Sequence, residues 1–165
     1  VYETEIEEID MAFTNSNDYI TGRKPVPTPA GAELMATRFT LDMATGDLAL
    51  NSIGQIGLLP AGCLPVDVQV DGTDMDSSTA AMVLQVGIWD GSSASLSTAA
   101  ADGGAHWGVT TAVNTAFQQR LTPNVNAMAS VQQSQSDRKL GVKVTTAPTT
   151  PVAGTLGVTL FYRPA

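Results

Sequence analysis

Leu140-Gly141-Val142-Lys143-Val144-Thr145 and Thr155-Leu156-Gly157-Val158-Thr159-Leu160-Phe161-Tyr162-Arg163 are the two runs on which the fold turns. Leu140, Val142 and Val144 share one face of the first, and Leu156, Val158, Leu160 and Tyr162 share one face of the second. A period of two belongs to strands with one face on a core, so the runs read as a strand pair joined by the Pro/Thr/Gly-rich stretch between them. The outward positions are Gly141, Lys143, Thr155, Gly157 and Thr159, with Phe161 near the end. Nothing reactive is placed there, and this Gly/Thr face is expected to serve as a contact surface.

Upstream, short apolar runs alternate with turn residues. Thr37–Met43 alternates around Arg38, Thr40 and Asp42. Within 48–59, Gly54 and Gly57 interrupt the apolar positions, which predicts a bent or bulged strand and not a helix. Pro65 opens a half-buried strand in which Val66, Val68 and Val70 face opposite to Asp67, Gln69 and Asp71. Met82–Trp89 is a further strand, ended by Asp90-Gly91, and the small-residue interval to Gly104 reads as a long loop. Thr110–Arg120 fits a short helix or a strand, and Met128–Gln133 reads as a strand. About seven or eight short strands with no long helix and no internal repeat predict an all-β sandwich or barrel.

The first 34 residues differ in character. Val1–Asp10 carries five carboxylates and no cation, and its apolar spacing suits a helix face and a strand equally well. Arg23-Lys24-Pro25-Val26-Pro27-Thr28-Pro29 follows, and three alternate prolines neither donate to a sheet nor continue a helix. Residues 1–34 are therefore expected to form an extended N-terminal arm that leaves a core domain at 35–165, with a disordered tail as the alternative. The Pro25–Pro29 stretch suits a spacer better than a polyproline ligand.

At 165 residues the chain is long enough for one domain with its own core. Cys63 is its one cysteine, so no intramolecular disulfide supports it, and a reducing compartment suits it. The formal net charge is −8, and no Lys or Arg lies between Arg38 and Arg120 while eight aspartates do. Such a surface repels phosphate, which disfavours nucleic acids and anionic membranes as partners. The start has no secretory signal pattern, and no apolar stretch approaches the length of a membrane span. If Val1 follows a removed initiator Met, the chain is complete and cytosolic when made; the alternative is that it follows a cleaved signal, which would leave no trace in this sequence.

Chemistry has few candidates. His106 is the single histidine and would have to serve every acid–base role alone, so packing or surface duty is expected of it. Cys63 has no cationic neighbour in sequence to activate it and reads as a small buried hydrophobe. One Cys and one His do not make a structural zinc site. The run Asp71-Gly72-Thr73-Asp74-Met75-Asp76-Ser77-Ser78 is rich in oxygen donors but departs from the EF-hand order, so a turn is expected over a calcium loop. Gly31 and Gly103-Gly104 match no phosphate-binding fingerprint. No catalytic, metal or cofactor site is assigned, and no cofactor is expected.

Asp137-Arg138-Lys139-Leu140-Gly141-Val142-Lys143-Val144, followed by Ala153-Gly154-Thr155-Leu156-Gly157-Val158-Thr159-Leu160-Phe161-Tyr162-Arg163, resembles the closing segment of small proteins encoded beside the major capsid protein in tailed bacteriophages. Leu58-Leu59-Pro60-Ala61-Gly62 leading into Val66-Asp67-Val68, and Met82–Gly87, are similar to the same group; together these cover about half of the chain. The resemblance implies a head decoration, or cement, protein: a non-enzymatic, jelly-roll-like antiparallel β-sandwich, often a homotrimer, to which the residues add the extended N-terminal arm. It would bind the major capsid protein on the exterior of a virion assembled in the host cytoplasm. The arm matches least, and its role rests on composition: Tyr2, Ile6, Ile9, Phe13 and Tyr19 are expected to anchor it, with Arg23 and Lys24 meeting carboxylates on the shell or a neighbouring subunit. Deleting 1–34 is then expected to abolish occupancy and leave a folded core. The alternative is a carbohydrate-binding β-sandwich of a phage fibre or adhesin, using Trp89, Trp107 and the Asp-rich loops, although aromatics are only 5 percent of the chain. An enzyme comes third.

Overall fold

The computed structural model describes residues 12–79, 81–124 and 126–165. Among the described residues nine strands form two antiparallel sheets: β1 (Met35–Met43), β2 (Ile53–Leu59), β3 (Cys63–Gly72), β4 (Val83–Trp89), β5 (Gly108–Val109), β6 (Phe117–Arg120), β7 (Thr122–Pro123), β8 (Arg138–Thr146) and β9 (Gly154–Pro164). One sheet has the order β1-β9-β3-β6 and the other β2-β8-β4-β5-β7. The chain repeatedly crosses from one sheet to the other, and this interleaved order is that of a jelly roll, with β7 added at one edge. The described residues include short 3-10 turns but no α-helix.

The closing runs become β8 and β9, yet they do not pair with each other. β8 lies between β2 and β4, and β9 between β1 and β3, so each is a central strand of its own sheet. Alternation tells which side of a strand is buried; it does not name the neighbour. The connection 147–153 carries the chain across the sandwich and does not close a hairpin. Val142 and Val144 therefore belong to one wall of the core, and Val158 and Leu160 to the other.

Phe39, Leu41, Val68, Val70, Leu84 and Val86 complete that core at 2% exposure or less. Each such side chain contributes roughly 1.5–3 kcal/mol relative to exposure. Gly54 and Gly57 act through space: a Cβ on Gly57 would come within 2.5 Å of the Phe39 ring, and one on Gly54 within 2.5 Å of the Phe13 ring. Between them the β2–β8 register slips at Gln55/Gly57, the bulge that the glycine spacing predicted. A second slip, at Pro65/Asp67 in β3, falls where proline has no N–H to offer the ladder.

Three local expectations change, the first at Val66, which is exposed at the Pro65/Asp67 slip and does not face inward with Val68 and Val70. Met128–Gln133 is not a strand; Met128–Ser130 is a 3-10 turn. In Thr110–Arg120 only Phe117–Arg120 is regular, as β6, preceded by a single bridge from Val113 to Met82. The loop after β4 is more than a flexible connection. Its Leu96 folds over Gly87 and Gly141 and packs with Trp89 and Ile53 in a small cluster separate from the main core.

Candidate functional site

Residues 12–34 contain no strand, and instead of leaving the core they run against it on the side where β1 and β2, the edge strands of the two sheets, face each other. Asn17 makes the connection. Its side-chain N–H groups donate to the Thr40 carbonyl of β1 at 3.0 Å and the Ile56 carbonyl of β2 at 2.8 Å. Its side-chain oxygen accepts from the Tyr19 and Ile20 amides at 3.1 and 3.0 Å, an Asx turn that reverses the strap. Asn15 adds a bond to the Asp42 carbonyl at 2.7 Å. Thr14 donates through its N–H and hydroxyl to the buried Asp47 carboxylate at 2.9 and 2.8 Å. Further on, the buried Tyr162 hydroxyl donates to the Pro27 carbonyl and sits 3.0 Å from the Thr37 hydroxyl. The strap thus covers sheet edges that would otherwise present unpaired backbone.

Of the residues assigned to partner contact, Tyr2, Ile6 and Ile9 lie outside the described residues. Phe13 is buried in the protein's own core, 7% exposed. Tyr19 sets its ring edge-on to Phe39, centroids 4.9 Å apart, while the Lys24 Nζ lies over the Tyr19 ring, 4.9 Å from its centroid. Arg23 is exposed and 3.7 Å from Asp18. Tyr19, Arg23 and Lys24 therefore come together at the outer turn of the strap, and Phe13 does not join them. Asn17 escaped the sequence reading, although the run Asn15-Ser16-Asn17-Asp18 is the kind of segment that builds side-chain-to-backbone turns.

The aspartates of the cation-free interval are mostly engaged within the fold. Asp71 forms a two-pronged pair with Arg38, and Asp67 pairs with Arg120 at 2.8 Å, so the arginines that bound the interval each take an aspartate from inside it. The Arg38–Asp71 pair lies across Gly157, where a Cβ would meet both side chains. Gly141 is likewise roofed by Trp89 and Leu96. The expected Gly/Thr contact face is thus interrupted on both sheets by side chains that use the glycines as clearance. Asp102 receives Arg138 at 3.2 Å and the Ser97 hydroxyl at 2.6 Å.

Asp71 and Gly72 end β3, and the rest of the run, to Ser78, is a loop held by its own side chains. Asp74 accepts from the Asp76 amide at 3.1 Å, and Asp76 accepts from the amides of Thr149 and Thr150 at 3.1 and 3.0 Å and from the Ser78 hydroxyl at 3.0 Å. Burial pushes the Asp76 carboxyl up, but the backbone and hydroxyl donors together outweigh it and hold it below its ordinary value. Asp76 clamps the β3–β4 loop to the β8–β9 loop. No group of three or more His, Cys, Asp or Glu side chains able to hold a metal occurs among the described residues.

Cys63 opens β3 and is buried, as its sequence suggested; burial first, and the Asp137 charge second, push its thiol up and away from thiolate reactivity. Burial also lowers His106 below its ordinary value. Trp89 and Trp107 are 4% and 0% exposed, with their indole N–H groups donating to the carbonyls of Ser93 and Asp102. Neither offers a face to a sugar, which removes the platform of the carbohydrate reading.

Besides a hollow of about 490 Å³ along the strap, between Asn17, Tyr19, Lys24, Arg38 and Asp42, two further surface hollows stand out. One, of about 330 Å³, is lined by Pro65, Val66, Leu121 and Met128, with Arg120 and Arg163 beside them. The other, of about 290 Å³, lies beside Ala12 between Phe13, Ile20, Trp89 and Lys139.

No family profile and no curated protein matches the chain. Solved structures do. A chain of the capsid of Ralstonia phage GP4 is 28% identical, with a TM-score of 0.72 over 90% of this chain and 96% of that one. A chain of the cyanophage Pam1 capsid asymmetric unit shares the fold at 12% identity and a TM-score of 0.53, over 87% of this chain and 96% of that one. The protein is thus similar in structure to chains that stand in bacteriophage capsids.

Proposed function

We propose that this protein is a structural component of a bacteriophage virion that binds the exterior of the capsid and stabilises it as a decoration, or cement, protein. The observation that carries this reading is the match to the Ralstonia phage capsid chain, which takes in nearly the whole of both chains. The two matched chains are therefore of about the same length. A small jelly roll suits a role as an added surface component. The engaged aspartates, the buried thiol and the buried tryptophans support a role without catalysis.

The partner is the major capsid protein, and the protein acts as a homotrimer on the shell. Tyr2, Ile6 and Ile9 make the apolar contacts, and the exposed Arg23 and Lys24 meet shell carboxylates. Phe13 and Tyr19 serve these contacts indirectly by fixing the strap to the sandwich. Assembly around a symmetry axis adds avidity to contacts that are individually weak.

Co-sedimentation with capsids purified without this protein tests the reading. Saturable binding is expected, weakened in R23E/K24E, with the decorated particles disrupted at a higher temperature than bare ones. Failure to co-sediment at any concentration would overturn it.

A further inference from the structure

Lys139 and Lys143 both point outward from β8, four residues apart, about 13 Å along a strand. Among the described residues neither lies within ion-pair distance of a carboxylate, whereas Arg23, Arg38, Arg120 and Arg138 all do. Lys143 reaches only the Ser95 hydroxyl, at 3.4 Å. In a chain with twice as many acidic as basic residues, two uncompensated lysines on one strand stand out. Beside Lys139 lies the hollow floored by Phe13, Ile20 and Trp89, and Ala12 itself forms part of its lining.

The chain that leads into Ala12 is Val1–Met11, with Glu3, Glu5, Glu7, Glu8 and Asp10 and no Lys or Arg. Eleven residues reach up to roughly 36 Å, ample to cross both lysines. Ile9, three residues before Ala12, lies within about 10 Å of chain from the apolar floor. We propose that residues 1–11 dock on their own sandwich in the free protein, with Ile9 in the hollow and the glutamates along Lys139 and Lys143. Each exposed ion pair is weak alone. The covalent tether makes the encounter intramolecular and so raises its effective concentration. This goes beyond the capsid role: it concerns the protein before it meets a shell, where the same residues would exchange one partner for another.

A spin label on Ile6→Cys tests it in the full-length protein, because Cys63 is buried and does not compete for the label. Enhanced relaxation is expected at the amides of Ser95, Lys139 and Lys143, unchanged on dilution. The enhancement should be lost in K139E/K143E and at about 0.5 M salt, where exposed charges are screened within a few ångströms. No enhancement in the folded protein, or its persistence in K139E/K143E, would overturn the proposal. So would an enhancement that vanishes on dilution, which would assign the site to a second copy. None of these readings depends on capsid binding, so this proposal and the cement role stand or fall separately.

Discussion

Asp76 shows how a side chain that looks like a ligand serves architecture instead. Its carboxylate gathers donors from Thr149, Thr150 and Ser78 and is held below its ordinary value. A carboxyl depressed in the folded state stabilises above the unfolded value, about 3.9, and that contribution is lost as pH falls through the folded one. Asp76→Asn should therefore melt below the parent at pH 7, and the gap should close as the pH is taken below 4. An equal gap at both pH values, read by thermal denaturation, would show that the charge is not what holds the two loops. The donor richness of Asp71–Ser78 was visible in the sequence, and so was the preference for a turn. The loop 147–153 that supplies the donors was not, because it lies more than seventy residues away.

The strap and the closing strands make the same point for elements. Period two revealed β8 and β9 and their buried faces, but the partners follow from a chain path that alternates between sheets, which no local pattern encodes. The prolines of 25–29 stand in a stretch with neither strand nor helix, while the side on which it lies depends on Asn17 reaching two carbonyls on different sheets. Phe13 is accordingly a core residue in effect. Phe13→Ala should cost about 3 kcal/mol in chemical denaturation. Arg23→Ala, on the exposed turn of the same strap, should change stability by no more than about 0.5 kcal/mol. Equal effects for the two would mean that the strap is not part of the folded core.

Across the whole molecule, composition offers few groups for chemistry: one His, one Cys and few aromatics. What composition concealed is how the acidic surplus is spent, since pairing of Asp67 and Asp71 with Arg120 and Arg38 depends on the order β1-β9-β3-β6. The similarity to a capsid chain then gives the jelly roll a setting, and the exterior of the shell is the place proposed for it. Image reconstruction of particles assembled with and without this protein tests that claim most directly. Added density is expected on the outer surface, into which the sandwich fits, arranged about a symmetry axis and absent from particles made without it. Indistinguishable particles, or density confined to the shell interior or the tail, would contradict it.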